Sequence, residues 1–274
     1  MRSIKLSASK VASYIGLNKY EPIEKAVADL LGPSFSSNIE KQLTYVKKEE
    51  IKEIATKLGL DKETKKEIVI KKVEEKLKEA SKNTISEKES KENTKKIIKQ
   101  LGIKGETKKA VESDVSMKRG QNLEKKDINK IQEQKKTVIS KRNDSFYTLS
   151  LELGEYDNIS YKCTIIGKID GFEEETSRLV ESKHRRSRLF KYVPIYEKVQ
   201  CEIYMRMINV DECLHCEHYN EETNEVIIKK DDSLWDTITN NLKTKFLPIY
   251  CKFKNNCENN CENNDDPSKS CEID

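Results

Sequence analysis

The sequence predicts a mixed α+β fold, a central mixed sheet flanked by helices, with an all-helical, lysine-rich subdomain inserted near its start. Three observations carry this expectation. Runs of strand-like alternation and helical periodicity follow one another from Phe146 to Lys229. Between Tyr45 and Phe146 there is no aromatic residue, no proline and no cysteine, whereas both flanks carry aromatics at ordinary density. Of 274 residues 35% are hydrophobic and 36% charged, so the core must be concentrated in part of the chain rather than spread over one large domain.

Taken in order, residues 1–35 read as the N-terminal helical part of the core. Residues 36–112 read as the inserted helical subdomain. From Lys47 to Glu112 there are 20 lysines and 14 acids, and Ile51, Ile54, Ala55 and Leu58 recur at helical spacing, as do Val69, Val73, Leu77 and Ala80. So few large side chains suit thin helical hairpins leaning on a thicker body. The segment repeats itself: Ile54 to Leu60 and Glu63 to Lys66 recur as Ile97 to Ile103 and Glu106 to Lys109, each helix stopped by Gly59 or Gly102.

Residues 113–250 carry the main core: a Ser113-Asp114 cap and a helix through Glu124 and Ile131, then strands over 146–153, 160–172 and 178–185. A helix opened by Pro194, strands over 213–219 and 225–229, and a closing helix with Leu234, Ile238, Leu242 and Phe246 complete it. Residues 251–274, rich in Asn and Cys and carrying six acids against three lysines, read as a disordered tail.

No run of 18 uncharged apolar residues exists and the N-terminus lacks a signal-peptide pattern, so we expect no membrane contact, no secretion and an intracellular, cytoplasmic location, in a host cell or virion if the source is viral. The eight cysteines are then expected as thiols. A formal charge of +4 with an acidic tail leaves a basic body compatible with a polyanionic partner. Cys213, His215, Cys216 and His218 resemble a zinc set, but strand alternation sends them to opposite faces, and no zinc site is expected there.

Asp170 ends a strand-like run, and Glu181 and Lys183 lie two residues apart, hence on one face of the next strand. If the two strands pair, an Asp, a Glu and a Lys converge. Two carboxylates held together without an intervening Arg call for a divalent cation, and hard oxygen ligands suit Mg²⁺ or Mn²⁺.

Gly-Lys-Ile-Asp170-Gly followed by Glu181-Ser-Lys183 resembles the metal-and-lysine signature of the PD-(D/E)XK nucleases, specifically the phage lambda exonuclease or YqaJ-type viral recombinase branch. Arg119-Gly120-Gln-Asn-Leu-Glu124 is similar to the branch's helical motif, Gln200-Cys-Glu-Ile-Tyr204 to its Gln-x-x-x-Tyr helix, and Leu6 to Tyr20 to its opening helix. The resemblance covers roughly residues 1–22 and 113–250. The chain departs from the pattern with Ile169 where the family name has proline, and with a long acidic turn before Glu181.

The resemblance implies a restriction-endonuclease-like core. It implies Asp170, Glu181 and the Ser182 carbonyl as ligands of one Mg²⁺, supported by Glu124, with Lys183 holding the attacking water and Gln200 and Tyr204 positioning Lys183 and the strand. Ser9 and Arg2 would receive a phosphate, and Arg119 is expected beside the substrate. His184, Arg185, Arg186 and Arg188 would form a phosphate rail. The implied activity is metal-dependent hydrolysis of DNA phosphodiester bonds, more as a 5′-to-3′ exonuclease on duplex ends than as an endonuclease. Roles in recombination, repair or replication, a single-strand annealing partner and a homo-oligomer are further implications. The competing expectations are a non-catalytic nucleic-acid binder on a degenerate nuclease fold and a structure-specific endonuclease.

Overall fold

The computed structural model describes residues 1–32, Leu43, 46–141 and 144–262, with side chains through Asn255. Residues 2–7 form strand β1 (Arg2–Ser7), because Ile4 and Leu6 alternate inward against exposed Arg2, Lys5 and Ser7. The expected opening helix is thereby reduced to a 3₁₀ turn (Ala8–Lys10) and α1 (Val11–Tyr14), followed by α2 (Ile23–Leu31).

Helices α3 (Lys48–Lys57), α4 (Lys66–Ala80) and α5 (Glu87–Leu101) build the lysine-rich region, and α6 runs unbroken from Gly105 to Lys135. At 1.5 Å per residue α6 is roughly 46 Å long. Ser113 and Asp114 therefore cap nothing, which corrects the boundary expected at 112. Asp114 is buried and paired with Lys118 one turn on at 2.8 Å, while Val111 and Val115 pack beside it, so the helix crosses from one core into the other. Gly102 ends α5 in the left-handed region, φ 66°, as a helix stop there requires.

The remaining elements are β2 (Ile139–Ser140), β3 (Tyr147–Tyr156), β4 (Ile159–Gly167), β5 (Gly171–Glu173), β6 (Arg178–His184), α7 (Ile195–Ile208), β7 (Glu212–Tyr219), β8 (Glu222–Lys229), α8 (Asp232–Asn241) and, after one π-turn, α9 (Leu247–Glu262). The sheet is divided in two, ordered β1-β4-β3 and β2-β5-β6-β7-β8. Each is mixed: β1 runs parallel to β4 and β6 parallel to β7, and the other pairings are antiparallel. The single strand expected over 160–172 breaks after Gly167, which leaves Asp170 in the gap between β4 and β5. The tail expected to be disordered from 251 is helical to Glu262, with Cys251 buried beside Tyr161; residues 263–274 lie outside the described residues.

Burial follows the pleat. Leu179 and Cys213 enter the main core with α1, α2, α7 and α9, whereas Val180, Leu214 and Cys216 enter a smaller cluster with Ile128 and Ile131 of α6. The five-stranded sheet is thus covered by α7 on one face and α6 on the other. A separate aliphatic core, from Leu43 and Ile51 to Val111 and Val115, lies among α3, α4, α5 and the first half of α6. Among the described residues no helix is long and apolar enough to cross a membrane.

Candidate active site

Strand alternation places Leu179, Glu181 and Lys183 on the α7 face of the five-stranded sheet. Asp170 reaches the same place from the break after β4, where its Oδ2 accepts the Ser182 N–H at 2.8 Å. Lys183 Nζ donates to Glu181 Oε1 and lies 3.4 Å from Gln200 Oε1 on α7. Tyr204, one turn further along α7, hydrogen-bonds Gln200 and is itself buried. Gly167 makes this possible: a Cβ there would stand 2.5 Å from Tyr204 Cε1 and 2.9 Å from Ala8 Cβ.

The charges of this cluster are mutually dependent. Burial pushes Asp170 up to about 6, with Lys183 pulling it back and Glu124 adding to the rise. Burial likewise pushes Glu181 up to about 7, reinforced by the charge of Asp170. Burial disfavours the Lys183 ammonium, but Glu181 and Asp170 outweigh it and hold the amine protonated. Glu181 is fully buried, and its second oxygen, Oε2, has no hydrogen-bond partner.

That orphaned oxygen, on a carboxyl that feels the charge of Asp170, fits a hard divalent cation. Among the described residues no three His, Cys, Asp or Glu side chains stand close enough to enclose an ion. Mg²⁺ does not require this, since it is commonly held by one or two carboxylates with waters and substrate phosphate completing the shell. Asp170, Glu181 and the Ser182 carbonyl are the residues that would hold it, with Glu124 near enough for its charge to act on Asp170.

Other expected site residues are placed differently. Arg119 is buried, and its guanidinium donates to Glu87 at 3.0 Å and to the carbonyls of Lys82 and Ile85, so it ties α5 and the turn before it to α6 inside the fold. Arg185 is not part of an exposed rail. Its side chain is 9% exposed, donates to both Glu197 oxygens at 2.7 and 2.8 Å and to Glu217 at 2.6 Å, and stacks on Phe190. Tyr204, being buried, supports Gln200 rather than touching a strand. Arg2 lies five residues from Ser7 along β1, roughly 16 Å at 3.3 Å per residue, beside Tyr161 at the far end of β4. Ser9 is exposed, its hydroxyl 3.0 Å from that of Ser7. His184 points to the opposite face from Lys183, 3.0 Å from Asp127 of α6, while Arg186 and Arg188 remain exposed.

Sequence reasoning missed a second buried network. Glu197 and Glu217 clasp Arg185, and His215 Nε2 lies 2.9 Å from Glu197 Oε2. Burial raises the Glu197 carboxyl, but hydrogen bonds from Arg185 and His215 outweigh it and bring it down to about 2. The available signal was spacing: Glu197, Gln200 and Tyr204 fall at i, i+3 and i+7, one face of α7.

No protein-family model and no curated protein matches the sequence. Among solved structures the chain is similar to an alkaline exonuclease from Laribacter hongkongensis, at 12% identity over 67% of this chain and 92% of that one, with a TM-score of 0.41. It is also similar to a phage-related exonuclease from Haemophilus somnus, at 11% identity over 93% of this chain and 96% of that one, with a TM-score of 0.40. A structure of the alkaline exonuclease LHK-Exo in complex with dAMP matches at 11% identity over 67% of this chain and 92% of that one, TM-score 0.38. At such scores the weight of any assignment falls on the side chains of the site.

Proposed function

We propose that the chain is a metal-dependent deoxyribonuclease hydrolysing DNA phosphodiester bonds, of the lambda-exonuclease-like kind, acting on duplex ends in DNA recombination, repair or replication. The observation that carries this reading is the convergence of Asp170, Glu181, Lys183 and Gln200 on one sheet face, with one buried Glu181 oxygen unpartnered. A bound Mg²⁺ or Mn²⁺ would activate water and offset charge on the scissile phosphate. Protonated Lys183 acts as a donor: it orients the attacking water and faces the negative charge that develops on the phosphoryl oxygens. Gln200 fixes the Lys183 amine through its carbonyl oxygen, and Tyr204 fixes Gln200. Contacts to phosphate carry no base information, so cleavage has low sequence preference.

The test is degradation of end-labelled linear duplex by purified protein in Mg²⁺, in Mn²⁺ and in excess chelator, with a closed circle as the end-free control. Asp170→Asn, Glu181→Gln and Lys183→Met are each expected to lower the rate by about 100- to 1,000-fold or more with unchanged circular dichroism. Full activity in chelator, or wild-type rates from Lys183→Met, would overturn the mechanism; cutting of the closed circle would replace exonuclease by endonuclease.

A further inference from the structure

A cavity of about 170 Å³ lies between α5, the middle of α6 and the exit of β6. Its walls carry Lys91 and Lys95 from α5, Arg119 and Gly120 from α6, and His184 and Arg186 from the end of the catalytic strand. Four cations, Lys91, Lys95, Arg119 and Arg186, face two acids, Glu87 and Glu112. Glu87 is already engaged by Arg119 at 3.0 Å, Arg186 at 3.3 Å and Lys91 at 3.5 Å. Lys95 is exposed and has no carboxylate within ion-pair distance among the described residues.

The position of this cavity relative to the acids follows from helix geometry. Glu112, Ser116 and Gly120 follow one another turn by turn along α6, and Glu124 follows Gly120 one turn on, about 40° round the helix. The first three line the cavity, and Glu124 is the residue whose charge reaches Asp170. Gly120 is therefore one turn, roughly 6 Å at 1.5 Å per residue, from the edge of the catalytic cluster. A Cβ at Gly120 would meet nothing within 4 Å, so the floor of the cavity is open above bare backbone.

We propose that this cavity is a subsite for a non-scissile phosphate of the DNA strand being cut, formed jointly by the lysine-rich region and the nuclease core. Lys91 and Lys95 are the phosphate ligands from α5, and Arg186 the ligand from the core. The lysine-rich region then takes part in substrate binding at one defined place, instead of presenting its whole surface to DNA. The assignment rests on the nuclease reading above and adds a specific role for the inserted helices.

The test is equilibrium binding of a labelled linear duplex in Ca²⁺ across a salt titration, with cleavage followed separately in Mg²⁺. Lys91→Ala/Lys95→Ala is expected to weaken binding more than about tenfold at about 0.1 M salt and to reduce the salt slope by about one, the share of a single phosphate. Lys88→Ala/Lys96→Ala removes equal charge from the same helix outside the cavity and is expected to leave both unchanged. A methylphosphonate placed at successive positions from the duplex end supplies the positional readout. At one position it should weaken binding to the wild type and have no further effect on the Lys91→Ala/Lys95→Ala variant. Equal effects from the two lysine pairs, or additive effects of methylphosphonate and variant at every position, would overturn the subsite while leaving wild-type cleavage intact. A wild-type protein that neither binds nor degrades duplex DNA would overturn the nuclease reading itself.

Discussion

The sheet-containing core and the lysine-rich helices of this chain solve the same problem, ordering a highly charged sequence, in opposite ways. The inserted region keeps nearly every charge at the surface and closes over aliphatic side chains alone, among them Ile54, Val69, Val73, Leu77 and Leu101. Its few buried polar groups, such as Ser90 and Thr94, bond to nearby carbonyls. The core buries carboxyl groups: Glu181, Glu197, Glu202 and Glu217 are all nearly inaccessible. Burying a charge is costly unless it is paired and hydrogen-bonded, and a buried ion network tends to be neutral or unfavourable beside an apolar alternative. The core retains one directly beside the face that carries Glu181 and Lys183. The two regions should therefore respond differently to deletion: loss of a buried charge in the core should alter cleavage as well as stability, whereas loss of a buried aliphatic side chain among the lysine-rich helices should alter stability alone.

The largest expected effect is at Glu197. Glu197→Ala removes the partner of a buried guanidinium and of His215, and should destabilise the protein by about 3–5 kcal/mol. Because the folded carboxyl lies at about 2, below its ordinary 4.5, its contribution is present in full above pH 4.5 and is lost as pH falls toward 2. The difference in melting temperature between wild type and Glu197→Gln should therefore be widest near neutrality and narrow progressively as pH falls from about 4.5 toward 2. A difference independent of pH would show that the network contributes through shape rather than charge. Cleavage should fall in both variants, since Glu197 shares the α7 face that carries Gln200.

Next in size is Leu77→Ala in the aliphatic core of the inserted helices, expected to cost about 2–4 kcal/mol as a buried cavity mutation. Its cleavage rate at saturating DNA should stay at the wild-type level, read by single-turnover kinetics. If Leu77→Ala lowers that rate as far as Glu197→Ala does, the two regions do not divide function and stability as described.

The smallest effect is at Gly120, where the helix is regular and a methyl group meets nothing. Gly120→Ala should stabilise α6 by up to about 1 kcal/mol, seen as a raised melting temperature. Any loss of DNA affinity in this variant would mark the open floor as occupied by substrate; loss of stability would mean that the helix is not regular there.

Much of the site was legible in the sequence because it depends on local periodicity. Glu181 and Lys183 share a face since strands repeat every two residues, and Gln200 and Tyr204 share one since helices repeat every 3.6. The alternation of Ile4 and Leu6 was also present but short, and the helix-like Ala, Ser and Lys residues that follow obscured it. Arg119 and Arg185 could not be read correctly by the same means. An arginine near a motif has the same chemistry whether it faces a phosphate or a buried glutamate, and only the partner decides which.

By itself, then, the sequence determined the order of most elements, the residues that share one face on β6 and on α7, and the separation of an aromatic-free helical region from the rest. The tertiary structure decided that α6 belongs to both cores, that Asp170 sits in a break between strands, and that Arg119 and Arg185 are internal clasps. The physical reason is the range of the interactions. Periodicity acts over a few residues, whereas the partners of a buried charge are brought from 32 positions away for Arg119 and Glu87, and from 32 for Arg185 and Glu217, by packing that no local pattern encodes.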